Sequence, residues 1–446
     1  MSTETNITDR VNNWMKHSVT LKLVSITILV LLLLIPTSMI KSIISEREQL
    51  SSEAIAEVSS KWANAQTING PILTIPLVYE AENKDGKYET TKYMHILPDE
   101  LKIDGQVNPE KLKRGIYEIV VYKSKVGVSG QFQLTQKIDQ NNLKSINYND
   151  AFLTIGLSDL RGIKENIIVN WADQKIKAQP GSKINAIISS GVTIGLSGEH
   201  LTSGKPIPFD FQLNLQGSEN LSFTPIGSTT SVALQSDWSS PSFNGNFLPN
   251  DRSVSDSGFT ASWKVLQLNR NFPQSWVGNG YSKSMDEAGF GVDLILPMDD
   301  YQKSMRSSKY AIMTITLTFL IFFLVEVLQG RKIHAFQYTL VGLALSIFYV
   351  LLISISEHTN FNLAYGIATI ATVSMITLYS KSVFKQTKIV LLLLAVLIGI
   401  YGFLFVTLQL TDFALLLGAV GLSAILGATM YFTRNVNWYQ LKSEAV

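Results

Sequence analysis

Leu21–Ile40 reads LKLVSITILVLLLLIPTSMI, with Arg10, Lys16 and Lys22 at or before its leading edge. A mostly apolar run of about 20 residues is long enough to cross the hydrocarbon core of a bilayer. A basic flank before such a run marks either a cleaved signal peptide or a retained signal anchor. The residues that follow, MIKSIISERE from Met39 to Glu48, contain no small-x-small cleavage site. The run therefore reads as an anchor, and Pro36 is tolerated because it lies near the end of the span.

The same signal recurs at the other end of the chain. Of the 446 residues, 46% are hydrophobic and 16% charged, well below the roughly one-quarter charged fraction of soluble proteins. The apolar excess sits before Lys41 and after Tyr310. The second block divides into five predicted spans: Tyr310–Leu328, Gln337–Ser354, Leu363–Ser380, Ile389–Leu408 and Phe413–Phe432. Their connections are short, so neighbouring helices run antiparallel and cross in alternate directions. Arg331 and Lys332 lie in the first connection, Lys381, Lys385 and Lys388 in the third, and Arg434 and Lys442 in the tail. The second and fourth carry no Lys or Arg. Basic loops stay in the cytoplasm. Six spans with both termini inside satisfy every loop and place the middle of the chain outside. Trp14, Tyr310, Tyr338, Trp438 and Tyr439 fall near the predicted interfaces, as an aromatic belt does.

These boundaries give residues 1–40 as tail and anchor, 41–309 as an extracytoplasmic domain, and 310–446 as a five-helix bundle with a cytoplasmic tail. Ser42–Ala65 has apolar residues at helical spacing (Ile43, Ile44, Leu50, Ala54, Val58, Trp62), so the anchor helix is expected to continue outward until Gly70-Pro71 ends it. The period then changes to two. Ile72–Tyr79, Gly115–Tyr122, Phe209–Leu215 and Phe259–Trp263 read as half-buried strands. Lys84-Asp-Gly86, Asp104-Gly105, Gly204-Lys-Pro206, Gly217-Ser218 and Ser257-Gly258 read as turns between them. Many short strands predict a sandwich-like or mixed antiparallel architecture, making the whole a membrane α+β protein. Trp238–Pro249, WSSPSFNGNFLP, is either a ligand- or lipid-contacting loop or an ordered loop whose aromatics fill the core, the commoner use of buried aromatics.

Chemical motifs are sparse. There is no cysteine, which excludes disulfides, thiolate catalysis and Fe–S ligation. None of the five histidines stands three or four residues from another, and there is no HExxH, GxSxG, Walker or GxGxxG motif. No metal, cofactor or catalytic constellation is indicated. With a net charge of +2 and scattered cations, nucleic acid is not an expected partner. Asp159-Leu-Arg161 is a charged pair either for a substrate or, more simply, for a local turn closed by Gly162. Glu326 lies about one turn inside the first C-terminal span; an intramembrane carboxylate is a functional candidate by default. The plainer alternative pairs it with Arg331 or Lys332 at the interface. Glu357-His358 in the second connection is a candidate pH sensor or a solvated loop, and Asp412 in the fourth reads the same way. A transporter would show several polar residues deep in the bundle or broken helices at matched positions. These spans read as mostly smooth. Gly342, Gly366, Gly399, Gly402, Gly418, Gly421 and Gly427 suit close helix packing.

Several short motifs occur in order along the chain: LLLLIP leading to SERE, Asn69-Gly-Pro-Ile-Leu-Thr-Ile-Pro76, Ser158-Asp-Leu-Arg-Gly162, Trp238–Pro249, Ser257-Gly-Phe259, Lys309-Tyr-Ala-Ile312, Gln337–Gly342, Ser356-Glu-His358 and Thr433–Tyr439. Together they resemble the CreD family of bacterial inner-membrane proteins over nearly the whole chain. The resemblance implies an inner-membrane protein under two-component control, responding to carbon source or cell-wall stress and associated with tolerance to E-type colicins. It implies no agreed activity and no catalytic residues. The expected function is therefore non-enzymatic envelope maintenance, with the bilayer, and envelope proteins or lipids, as partners. Transport or lipid handling by the bundle is the alternative, and a membrane-bound enzyme is the least supported.

Overall fold

The computed structural model describes residues 19–84, 86–134, 140–296, 300–329, 333–410 and 413–434. Trp14, His17, Arg331, Lys332, Asp412, Trp438, Tyr439 and Lys442 lie outside them. The chain divides into two compact units, Ser51–Pro297 and Met1–Leu50 with Met298–Val446. There is an N-terminal apolar helix, a β-rich domain and a C-terminal group of apolar helices.

Helix α1 runs unbroken over Val19–Trp62. It stops before the predicted Gly70-Pro71 because the next residues are already captured by the sheets. The Ser218 hydroxyl donates to Ala63 O at 2.9 Å, and Asn64 N donates to the Asp159 carboxylate at 2.9 Å. Gln66–Ile68 then pair in parallel with Leu221–Phe223. Of the expected apolar stripe, Ile44 is buried, but Ile43 and Leu50 are exposed.

The strands that follow are β1 Gln66–Asn83, β2 Gly86–Ile96, β3 Glu100–Arg114, β4 Tyr117–Phe132, β5 Leu143–Ile146, β6 Phe152–Leu157, β7 Ile168–Trp171, β8 Gln174–Lys177 and β9 Gln179–Pro180. They continue as β10 Gly191–Gly195, β11 Ile207–Ser218, β12 Asn220–Phe223, β13 Thr229–Ser236, β14 Pro241–Gly245, β15 Asp251–Ser255, β16 Gly258–Leu266, β17 Ser275–Val277 and, after the short helix α2 (Ser282–Glu287), β18 Phe290–Leu294. One sheet runs β14-β18-β12-β1-β6-β10-β9, with β2 and β5 also on β1 and β17 on β2. The second runs β15-β16-β13-β3-β4-β11-β7-β8. Nearly all pairs are antiparallel, but β1–β12 and β13–β3 are parallel.

Several strands are long rather than short, β1 having 18 residues and β4 16. That length absorbs one expected turn. Asp104-Gly105 lies inside β3, where a Cβ on Gly105 would come 2.5 Å from the Leu234 side chain. The glycine there serves close packing, not a reversal. Gly217-Ser218 does end a strand: β11 stops at Ser218, Glu219 has φ 61°, and β12 starts at Asn220 in the other sheet, while Gly217 leaves room for the Tyr122 ring. Gly70 sits within β1 at φ 127°, and the register against β6 shifts between Asn69 and Ile72. A bulge of this kind bends a strand without ending it. Alternation holds over Phe209–Leu215 and Phe259–Trp263, where Phe209, Phe211, Leu213 and Leu215 are buried, as are Phe259, Ala261 and Trp263; Ile72–Leu77 is instead buried on both faces, and Gly115-Ile116 form the turn before β4.

In the other unit, α3 (Asp300–Lys309) meets α4 (Ala311–Gln329) at a bend of 43°. Then come α5 (Ala335–Ser356), α6 (Phe361–Phe384), α7 (Thr387–Gln409) and α8 (Ala414–Thr433), close to the five predicted spans. By length and composition, Lys22–Trp62, α5, α6 and α7 can each cross a bilayer, and the bent pair α3–α4 makes a fifth. Leu416–Tyr431 is apolar but shorter. The core of this unit takes in Leu33, Ile40 and Ile44 of α1. Gly342 lets α1 approach, since a Cβ there would lie 2.3 Å from Leu33. Gly421 does the same for Phe403. At Gly366, Gly399, Gly402, Gly418 and Gly427 an added Cβ meets open space, so close packing does not explain those five.

Candidate functional site

The most concentrated polar arrangement in the helical unit gathers around Glu326, three residues before the end of α4 and only 6% exposed. The Lys22 ammonium of α1 forms an ion pair with it. Ile333 N donates to Glu326 Oε1 at 2.9 Å, and the Tyr338 hydroxyl donates to Oε2 at 3.0 Å. Lys22 also donates to Ile333 O at 3.0 Å. Thus α1, α4, the α4–α5 connection and α5 meet in one closed network. The local sequence explains the geometry. His334 N-caps α5, accepting from Phe336 N, and Gln337 returns a bond to His334 N. This capping box fixes the first turn of α5 and aims Tyr338 back at α4. Phe319 and Phe322 hold the Tyr338 ring at 5.5 and 6.3 Å. Such an enclosed charge is tolerable only when paired and hydrogen-bonded, and Glu326 is both. Among the described residues Glu326 pairs with Lys22; Arg331 and Lys332 lie outside them.

A second ion pair joins the same two parts of the unit. Arg47 Nε of α1 stands 3.3 Å from Glu357 Oε1, with the Glu357 side chain 13% exposed. Glu357 is the C-cap of α5. His358 is exposed, so the adjacent pair read from the sequence points to different surroundings. Lys22 and Arg47 are about 37 Å apart at 1.5 Å per helical residue, comparable to a membrane's thickness.

In the β unit, Asp159 caps a short 3₁₀ turn. Its carboxylate accepts from Arg161 N at 3.0 Å, Arg161 Nε at 2.9 Å, Arg161 Nη2 at 2.6 Å and Asn64 N at 2.9 Å. The Arg161 guanidinium holds this carboxyl down to about 2, against burial, which acts in the opposite direction. Arg161 Nη1 donates to Ser60 O, near the end of α1. The pair is engaged with the chain itself on both sides.

The described histidines stay apart. His95 is buried with Nδ1 3.0 Å from Thr74 Oγ1 and its ring 5.3 Å from Trp276; burial pushes the imidazole down to about 4. His200 Nε2 lies 3.0 Å from Asp173 Oδ1. Among the described residues no group of three or more His, Asp and Glu could hold a metal ion. The aromatics of Trp238–Pro249 turn inward. Phe243 packs on Phe259 and Trp263, Phe247 on Phe290, and Phe247 O accepts from Trp263 Nε1 at 3.2 Å. The outer face of the eight-stranded sheet carries a shallow hollow of about 710 Å³ lined by Asp104, Lys125, Gln212, Gln235 and Arg252 among others.

Two features of the site escaped the sequence reading. Lys22 looked like an ordinary basic flank, and only its position one step inside an apolar run hinted otherwise. Tyr338, expected in an aromatic belt, is instead buried against Glu326, and Tyr349, Tyr365 and Tyr401, which no motif singles out, are buried as well.

A family model described as "Inner membrane protein CreD" matches residues 18–439. The inner membrane protein CreD of Escherichia coli K12 is 33% identical over 432 residues, covering 94% of this chain and 93% of that protein. Neither description names an enzyme. Among solved structures, an M1 zinc metallopeptidase from Deinococcus radiodurans aligns over 44% of this chain and 42% of its own at 9% identity, with a TM-score of 0.18. A score that low supports no shared fold.

Proposed function

Because this chain belongs to the CreD family of inner membrane proteins, we propose that it is a non-enzymatic component of envelope maintenance or stress response. Its termini lie in the cytoplasm and residues 41–309 in the periplasm, where the β domain meets envelope proteins or lipids. Tolerance to E-type colicins belongs to the same reading. The supporting observation is the way Glu326 is used. The carboxylate that a transport mechanism would recruit first is engaged by Lys22, Ile333 N and Tyr338, so it acts as a fastening between helices.

The test is flux across proteoliposomes containing the full chain under a pH gradient, followed with a pH-sensitive dye and with labelled potassium. Parent protein and Glu326→Gln, which retains an acceptor for Tyr338, are expected to leak no faster than empty vesicles. Flux through the parent that Glu326→Gln abolishes would overturn the proposal. The alternative, transport or lipid handling by the bundle, draws on a different group of residues at the opposite end of α5.

A further inference from the structure

Three tyrosines from consecutive helices converge on one ring. Phe348 of α5 lies 4.9 Å from Tyr349, 5.3 Å from Tyr365 of α6 and 4.7 Å from Tyr401 of α7, centroid to centroid. Tyr401 is 0% and Tyr349 2% exposed. The Tyr365 hydroxyl donates to Tyr401 O at 2.7 Å. Among the described residues, the Tyr349 and Tyr401 hydroxyls have no partner in hydrogen-bonding geometry, and Thr369 Oγ1 approaches the Tyr365 hydroxyl, likewise outside it. The Tyr349 hydroxyl approaches Thr314 of α4, outside hydrogen-bonding geometry.

The end of the bundle nearest this cluster is covered by α3. Arg306 donates to Leu410 O at the end of α7, and Lys303 lies over the ring of Phe361, the first residue of α6. Phe361 in turn packs on Tyr365 at 5.9 Å. The face that α3 buries is serine: Ser304, Ser307 and Ser308 are each at most 1% exposed. Ser304 Oγ and Ser307 Oγ also find no partner among the described residues. An apolar helix face would have sealed a dry core. A serine face at this end of the bundle leaves the Ser304 and Ser307 hydroxyls unsatisfied, as the Tyr401 hydroxyl is, in a medium where each such group is costly.

We propose that this end of the bundle is an internal polar site, walled by Tyr349, Tyr365, Tyr401 and Thr369 and roofed by α3, which takes an uncharged hydroxyl-bearing guest. The chemistry is that of water or of the alcohol group of a neutral lipid. Hydroxyls that donate and accept satisfy such a guest. A charged guest would need a facing counter-charge; Glu326 is held at the far end of α5, Glu357 at the near end is paired with Arg47, Arg306 donates to Leu410 O, and Lys303 lies over the outer ring Phe361. The site is independent of the Lys22–Glu326 fastening.

Two probes distinguish the sources: radiolytic labelling of the full chain in detergent with ¹⁸O-water, and native mass spectrometry with dioleoylglycerol. Tyr122 serves as the dry control, being fully buried with its hydroxyl satisfied by Asn220 O at 2.7 Å. A water site labels Tyr401 several-fold faster than Tyr122, with no change when dioleoylglycerol is added. A lipid site retains one dioleoylglycerol per chain, protects Tyr401 from label, and loses that retention in the Tyr349→Phe/Tyr401→Phe variant. The proposal is overturned if Tyr401 labels no faster than Tyr122 and no dioleoylglycerol is retained. In that case the paired Tyr→Phe changes simply remove unsatisfied groups and raise the unfolding temperature.

Discussion

Replacing Glu326 with leucine lowers the stability of the purified full chain in detergent by about 3–5 kcal/mol, the cost of leaving one member of a buried ion pair without its partner. The change takes an acceptor from three donors at once: Ile333 N, the Tyr338 hydroxyl and the Lys22 ammonium, which keeps its bond to Ile333 O. Lys22→Met has a comparable effect from the other side, since Glu326 is then a buried carboxylate with only neutral donors. The double variant Lys22→Met/Glu326→Leu still lacks the acceptor of Ile333 N and the Tyr338 hydroxyl but no longer leaves a charge without its counter-charge, so its loss is smaller than the sum of the two single losses. The measurement is thermal unfolding of the four proteins, with Lys388→Met, an exposed cation, expected to shift stability by less than about 0.5 kcal/mol. Additive effects of the two single changes would show that Lys22 and Glu326 act separately.

Trp263→Ala is expected to cost about 3–5 kcal/mol, as large-to-small changes of buried aromatics do. Trp263 is 2% exposed and packs on Phe243 at 5.8 Å and Phe290 at 5.6 Å. It belongs to the eight-stranded sheet, and both neighbours belong to the other, so the truncation opens a cavity where the sheets meet. It also removes the donor to Phe247 O. Urea unfolding followed by the β-sheet signal in circular dichroism reads the loss. Trp238→Ala, at a half-buried position, is expected to cost less than half as much. Equal effects would mean that Trp238–Pro249 owes its order to something other than the Phe243–Trp263–Phe290 contacts.

The membrane segments were legible because length and apolarity are local properties, and the bilayer sets the length. The five predicted C-terminal spans each overlap an observed helix. Strands showing clean alternation, such as Phe209–Leu215, were legible for the same reason. Pairing was not. Lys22 and Glu326 are separated by 304 positions, and nothing in either neighbourhood marks the other. Asp104-Gly105 was misread because glycine signals a turn only when the backbone reverses; here it makes room for Leu234. The tyrosine cluster was hidden because tyrosine is mostly hydrocarbon, and three scattered hydroxyls barely lower the apolarity of their spans. Glu357 and His358 were read as one unit from adjacency, whereas the end of α5 turns Glu357 to Arg47 and leaves His358 exposed.

The sidedness of the charged loops carries the whole account, and the absence of cysteine makes it directly measurable. Single cysteines at Lys87, exposed on β2, and at Lys381, exposed at the end of α6, are treated in intact cells with a membrane-impermeant maleimide. Lys87→Cys is expected to react at once, and Lys381→Cys only after the membrane is permeabilised. Equal reaction of both in intact cells would place the β domain and the Lys381–Lys388 loop on the same side and contradict the proposed topology.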